Sequence, residues 1–430
     1  MQLTKKGNIS AALAAATCSL LGLQAHAEVA DNSWQIDTAL LYYGESDRVQ
    51  LAEAVINANK DFGDEHIFNG KLVIDTLTGA SATGAVAQNN VQTFTRPSGN
   101  GQYDIVAGDT PLDDTFKDTR VQLDAQWTQP LWENVRGSTG VHLSKEYDYL
   151  SLAVNGSLAK DFNQKNTTLS VGLSYAFDSI DPEGGRPVAL SKMVLNNDQF
   201  ASEEAYQQAF DATRLPGSDD KTTADVLIGL TQVINRRLLM QFNYSFSSVD
   251  GYQTDPFKML SNVDQQGITQ NLVYESRPDT RTRHNIYWQS KYAMDNAIAD
   301  VSYRFSTDDW KIDSHTFDSR LRFKLSENTY IQPHFRYYQQ SAAEFYRPFL
   351  LDGDPLPQYA SADYRLGEMT AYTLGFKYGI DMGNGEELAF RLEYYQQDPK
   401  NNGFDQPGAL QQLDLFPSIK AVIAQVSYRF

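Results

Sequence analysis

The chain ends AQVSYRF, residues 424–430. Ala424, Val426, Tyr428 and Phe430 fall on one face of an extended strand, and Gln425, Ser427 and Arg429 on the other. The last residues of a soluble domain usually fray into water. Here period-two alternation runs to the final residue, so the terminus reads as built into a sheet.

The same pattern organises the rest of the chain. In TTLSVGLSYAFD, residues 167–178, Leu169, Val171, Leu173, Tyr175 and Phe177 oppose Thr168, Ser170, Gly172, Ser174 and Ala176. Residues 238–248 repeat the form, with Leu238, Met240, Phe242, Tyr244 and Phe246 against Gln241, Asn243 and Ser245, and further copies lie at 121–127, 150–160, 299–305, 317–325, 372–380 and 388–395. Short links at 132–134, 163–165, 235–236, 295–296, 326–328 and 383–385 largely take turns with long ones at 78–118, 181–221, 249–280, 347–366 and 398–417. Small turns on one side and large loops on the other are the rhythm of a hairpin barrel. Strands are expected to start near 34, 47, 64, 119, 135, 149, 166, 222, 237, 281, 298, 313, 329, 368, 386 and 419, about sixteen in all. Pro333 falls inside one of them, where its missing N–H costs a ladder bond, so it is placed at the rim or before a later strand start.

Aromatic residues separate a barrel in lipid from a soluble sandwich. Strands leading into the long-loop side finish in Tyr42-Tyr43, Tyr175 with Phe177, Tyr244 with Phe246, Tyr303 with Phe305, Tyr337-Tyr338 and Tyr394-Tyr395, while Trp34, Trp127, Trp132, Tyr428 and Phe430 mark the opposite level. Two aromatic levels around apolar strand centres are girdles at the two lipid–water boundaries. In hydrocarbon an open sheet edge finds no hydrogen-bond partner, so the sheet must close. Residues 419–430 are then the closing strand, paired near 34–43.

The expected fold is therefore an all-β transmembrane antiparallel barrel with long extracellular loops and short periplasmic turns. Residues 1–27 read as a cleaved secretory signal: Lys5 and Lys6, an apolar run from Ala11 to Leu23, and the small-x-small site Ala25-His26-Ala27. Residues 28–430 form one outer-membrane barrel domain in the outer membrane of a Gram-negative bacterium. Cleavage removes Cys18, the single cysteine, and two lysines, taking the formal net charge from −18 to −20. No thiol chemistry or disulfide is then available, and acidity of this size argues against nucleic acid as partner. Mean hydropathy is −0.46, as expected when half of every strand faces water.

The ending looks like the C-terminal signature of Gram-negative outer-membrane barrels, in which a terminal Phe with Tyr two residues earlier is read by the barrel-insertion machinery; Phe430 and Tyr428 match it. DTLTGASATGA (75–85), Pro111-Leu112 with DDTFKDTR (113–120), KEYDY (145–149), KNTTLS (165–170) and SADYRLG (361–367) together resemble a family of such barrels catalogued as a domain of unknown function. The resemblance implies fold and compartment and brings no established activity. It also implies an extracytoplasmic redox context, through neighbouring genes for periplasmic thioredoxin-like and flavin-attaching proteins.

If apolar faces touch lipid, the opposite residues line a lumen. Its first half offers Asp124, Asn155, Ser157, Ser170, Ser174 and Asp178. Its second half offers the cations Arg304, Arg320, Arg322, Lys324, Arg336, Lys377 and Arg391, with Asp300, Asp318 and Glu393 among them. These cations are the candidate selectivity residues of a porin-like passive channel for small hydrophilic, preferentially anionic, solutes. The alternative is a barrel plugged by its acidic loops that binds a partner or cation at the cell surface, its arginines serving only to anchor those loops. DTLTGASATGA is either a constriction loop or a turn packed against the lumen. Asp113, Asp114 and Asp118 are either a calcium site or a solvated salt-bridge cluster, and their spacing matches no calcium loop. A hydrolase is the third reading: Asp308-Asp309 lies near His315 in sequence, but there is no G-x-S-x-G elbow and no histidine metal spacing. The expectation is no catalysis, no cofactor and no metal. Outer-membrane lipid and the insertion machinery are the partners, and trimer formation is allowed only by analogy of fold.

Overall fold

The computed structural model describes residues 34–46, 48–197 and 199–430, leaving aside the side chains at 115 and 116. The leader expected at 1–27 lies outside the described residues. Sixteen antiparallel strands form one closed barrel. They are β1 Trp34–Glu45, β2 Val49–Asp61, β3 Ile67–Ala82, β4 Leu112–Trp132, β5 Val135–Lys145, β6 Tyr149–Phe162, β7 Thr167–Ile180 and β8 Asp219–Asn235, followed by β9 Leu238–Gly251, β10 Thr280–Ala293, β11 Ala297–Asp308, β12 Asp313–Lys324, β13 Thr329–Gln340, β14 Met369–Gly383, β15 Glu386–Pro399 and β16 Ile419–Arg429. Each pairs with its sequence neighbours, and β16 closes the ring on β1, Arg429 opposite Asp37 and Ala421 opposite Glu45. Phe430 completes the seam through two backbone bonds to Ile36, 2.8 and 2.9 Å.

Strand β4 begins earlier than the alternation indicates, at Leu112 rather than near 119. Its first residues pair with the end of β3 across a register shift at Gly79–Ser81, above the alternating part of the strand. Pro333 sits inside β13, not at its rim. It points outward, stays paired to Phe376 of β14, and the ladder to β12 is interrupted there, between the Arg320–His334 and Phe323–Ile331 pairs. The strand survives because the ladder on its other side is intact.

The outer surface is apolar. Mid-strand Leu40, Leu374 and Val154 are 67%, 64% and 58% exposed. Such side chains around a whole circumference are tolerable only in hydrocarbon. Outward Trp34 packs edge-on to Phe68 at 6.1 Å, and Tyr428 stacks with Phe430, forming the periplasmic girdle. The extracellular girdle includes Tyr337 and Tyr372, 5.3 Å apart. Tyr43, Tyr338 and Tyr395 do not join it. Adjacent strand residues take opposite faces, so in each Tyr-Tyr pair one ring enters the lumen.

The packed hydrophobic clusters lie in the long loops. Segments 83–111, 252–279, 341–368 and 400–418 share them: Phe94, Met259, Leu272 and Tyr274 in one, Leu260, Val273, Leu350 and Ala360 in another, and Val86, Val263, Phe349 and Leu410 in a third. Strands Thr269–Tyr274, Met259–Val263 and Leu350–Leu351 form a small sheet, and the loop after β7 adds helix α1, Glu203–Asp211, capped by Ser202. These loops make a folded cap on the extracellular mouth. Inward Ala371 and Ala421, at the extracellular ends of β14 and β16, are buried.

Candidate functional site: lumen wall and cap

All seven candidate cations occupy inward positions of β11–β15. Their anionic partners come from the barrel strands, for Arg320 and Arg391 from the cation's own strand, and not from infolded loops. Arg320 lies 3.5 Å from Asp318, and Arg322 lies 3.6 Å from Glu387, which also takes Lys377 at 2.9 Å. Arg391 lies 3.7 Å from Glu393. Arg322 also stacks 3.5 Å from the centre of the Tyr330 ring, whose hydroxyl donates to Glu387 at 2.7 Å. Arg304 rests 5.5 Å from the Tyr287 ring. Among the described residues, Arg304, Lys324 and Arg336 form no ion pair, and all three are exposed to the lumen or its rim.

His334 is a residue that sequence reasoning missed. Its Nδ1 lies 2.9 Å from Glu393 Oε1 and its Nε2 3.0 Å from Asp318 Oδ2. It joins two carboxylates that also serve Arg391 and Arg320, tying the wall from β12 to β15. It shares the inner face of β13 with Arg336, two residues on, a local signal that could have found it; its partners depend on register. Below this level a cavity of about 340 Å³ is bounded by Asp37, Asn57, Lys71, Glu387, Arg391 and Arg429. Arg429 closes the seam side with Asp37 at 2.7 Å.

The inner wall of β5–β8 is made of small residues such as Gly140, Ser157, Ser170 and Gly172. Its periplasmic end holds one strong pair: buried Arg136 contacts Asp161 through two nitrogens at 2.8 and 3.2 Å. Tyr428 lies on the lipid side, as does Phe430, whose backbone joins β1.

The cap is held by buried charge. Arg277 Nε lies 2.6 Å from Glu275, and its Nη2 donates to Asp363 at 2.8 Å. Arg365 reaches Asp255 at 2.7 Å and Asp363 at 2.6 Å. Ser361 donates to Glu275, and Lys258 donates to the Ala82 carbonyl. Thus SADYRLG supplies Ser361, Asp363 and Arg365 to this cluster. DTLTGASATGA turns into the cap at Gly84, where φ is +94° and a Cβ would stand 2.6 Å from the Met259 carbonyl, so a side chain is excluded. Its residues 75–82 are the end of β3, paired to β4, and only 83–85 turn into the cap, so it is neither a free turn nor a constriction loop.

Burial pushes the Glu275 carboxyl up to about 7; Arg277 opposes the shift, while Asp255 and Asp363 add to it. Burial also acts to raise Asp363, but the guanidiniums of Arg365 and Arg277 outweigh it and hold that carboxyl well below the usual carboxylate range. Stability from Glu275 is full below its ordinary 4.5 and is lost as pH rises through about 7. Stability from Asp363 is present above its ordinary 3.8 and is lost on acidification. Amide exchange in segment 252–279, corrected for intrinsic rate, is therefore expected to be slowest in mildly acidic solution and to quicken above pH 7. Protection that keeps rising through pH 8 contradicts this assignment.

Asp113, Asp114 and Asp118 do not converge. Asp114 pairs with Arg96 at 3.4 Å, whereas Asp118 meets Glu146 and Asp148 of the KEYDY turn, with carboxylate oxygens within 4.8 Å of one another. Burial and the Asp118 charge push Glu146 up to about 7. Asp308 and His315 also stay apart. Asp308 binds Arg281 at the mouth, while His315 faces outward with its Nδ1 2.7 Å from the Tyr303 hydroxyl.

A closed barrel with a lipid-facing apolar belt, a charged lumen and a folded cap defines an integral outer-membrane protein of a Gram-negative bacterium. The chain belongs to the family described as Protein of unknown function (DUF3570), which matches residues 10–430. No curated protein matches it. Among solved structures it is similar to a bacterial polysaccharide outer membrane secretin (10% identity, 93% of this chain and 99% of that one, TM-score 0.42). It is also similar to the ferric enterobactin receptor of Pseudomonas aeruginosa (7%, 93% and 60%, TM-score 0.43) and the P. putida toluene transporter TodX (10%, 92% and 88%, TM-score 0.37). The chain thus spans about 60% of the receptor's length. At these identities and TM-scores the likenesses carry no argument about cargo.

Proposed function

We propose that this protein is a capped outer-membrane channel for small hydrophilic solutes, with a preference for anions. The observation that carries the reading is the water-facing wall of β11–β15, where, among the described residues, cations outnumber the carboxylates that neutralise them and Arg304 and Arg336 form no ion pair. Such a wall lowers the cost of an anion leaving bulk water. In planar bilayers the wild type is expected to give small current steps whose reversal potential in a KCl gradient reports chloride preference. Arg304→Ala/Arg336→Ala should cut that preference several-fold. Arg320→Ala/Arg322→Ala should shift it towards cations, because Asp318 and Glu387 lose neutralising partners. Steps of unchanged selectivity in both double variants would remove the anion assignment.

A second reading follows from the cap, whose Leu260, Val263 and Phe94 are fully buried. Packing of that quality suits a plug with a surface-binding role. It predicts no steps from the wild type and large steps once the cap loops are shortened.

A further inference from the structure

We infer that the lumen wall holds a binding site for a zwitterionic peptide of two or three residues, between an unpaired lysine and an unpaired glutamate. The site is the cavity of about 340 Å³ bounded by β14–β16 and β1–β3. That size is within the roughly 300–1,000 Å³ of small-molecule sites. Most charges on its wall are neutralised in place. Asp37 takes Arg429 at 2.7 Å, Glu387 takes Lys377 at 2.9 Å, and Arg391 lies 3.7 Å from Glu393. Two lining charges remain, Lys71 on β3 and Glu53 on β2, and among the described residues neither forms an ion pair. Their cross-strand neighbours are engaged elsewhere. Asp124, opposite Lys71, meets His142 at 2.6 Å and Gln122 at 2.7 Å. Asp75, opposite Glu53, takes Arg120 at 2.7 Å.

Lys71 and Glu53 also stand too far apart to meet. Lys71 pairs with Asn57, four residues along β2 from Glu53. Strand rise and spacing put the two Cα atoms about 14 Å apart. Inward side chains stand roughly perpendicular to the sheet, so the charged ends keep a similar separation. An extended peptide of two or three residues spans about 7–10 Å. A charge-assisted hydrogen bond adds about 2.8 Å at each end. The ammonium end therefore reaches Glu53 while the carboxylate end reaches Lys71. A free amino acid carries both charges on one carbon and is too short. A simple anion answers Lys71 but is repelled by Glu53. Between the two charges the wall is apolar: Val55 follows Glu53 on the same face, with Ala39 and Leu41 opposite on β1. Leu41 and Val55 are half-buried and belong to none of the packed clusters, so they are free to receive an apolar peptide side chain. Gln425 and Ser427, opposite Leu41 and Ala39 on β16, offer hydrogen-bonding groups to the peptide bond.

Binding here needs no current through the lumen. The full chain in detergent is titrated by calorimetry and saturation-transfer NMR with Ala-Leu and Ala-Ala-Leu. Controls are N-acetyl-Ala-Leu, which lacks the ammonium, Ala-Leu amide, which lacks the carboxylate, and free leucine. At least one of the two peptides should bind saturably at one site per chain, and each control about 10-fold more weakly. Glu53→Gln should weaken Ala-Leu about 10-fold yet bind N-acetyl-Ala-Leu no more weakly than wild type does. Lys71→Met should weaken Ala-Leu equally and leave Ala-Leu amide unaffected. Neither residue supports another charge, and a heat-modifiable gel band checks that each variant is folded. No saturable binding of either peptide by about 10 mM overturns the proposal. So does N-acetyl-Ala-Leu binding to wild type as tightly as Ala-Leu, which marks a site for organic anions instead. Anion-selective current without peptide binding removes this site and leaves the channel; peptide binding without current does the reverse.

Discussion

Replacing Arg277 by Met is expected to unseat the cap while leaving the barrel folded. The guanidinium sits between Glu275, fully buried, and Asp363, 1% exposed. Without it two carboxylates face each other in a dry site, and breaking a buried pair in this way costs about 3–5 kcal/mol. The cost falls on the loops after β9 and β13, whose other anchors are the small hydrophobic clusters and Arg365. It does not fall on the sixteen-strand ladder. Single-channel conductance should rise several-fold, and protease should cut within 252–279 and 341–368 while the barrel stays intact. Arg277→Met with Glu275→Gln removes a charge of each sign and leaves Asp363 with Arg365. That double variant should return conductance and protease resistance most of the way to wild type. If Arg277→Met alone leaves both readings unchanged, the cap does not depend on its buried charges.

The second large effect concerns the seam. Strand β16 is paired along its whole length to β15 and from Ala421 to Arg429 to β1. Removing residues 419–430 leaves two open edges in hydrocarbon, each with a row of N–H and C=O groups that lipid cannot satisfy. No heat-modifiable folded band should remain on an electrophoresis gel. Phe430→Ala is a different case. Its bonds to Ile36 are made by backbone atoms and survive the substitution. The refolded barrel should then unfold in urea close to wild type, while the amount assembled in cells falls several-fold, because an outward aromatic is what the insertion machinery would read. A loss of urea stability equal to the loss of assembly would show that the ring acts through girdle packing with Tyr428 instead.

How much of this was legible in the sequence differs between wall and cap. Residues 167–178 and 238–248 alternate so regularly that strand, face and neighbour followed directly. The seven cations were placed on the inner face for the same reason. Their pairing was not legible. Glu387 serves both Arg322, 65 positions away, and Lys377, 10 away. His334 meets Glu393 from 59 positions off. Alternation says which way a side chain points, and says nothing about which residue stands opposite three strands later.

The cap was the larger omission. Its loops lack periodicity, so SADYRLG and DTLTGASATGA could be singled out but not joined. Asp363 and Arg277 are 86 positions apart and meet only because β10–β13 return both loops to the same mouth.

The sequence by itself determined a closed, lipid-facing sheet, since period-two hydrophobicity is a local signal and hydrocarbon forbids an unpaired edge. Only the tertiary structure decided which lumen cations are neutralised and that the loops fold into a charge-locked cap. Those outcomes depend on strand register and loop convergence, and both bring together residues that no local pattern connects.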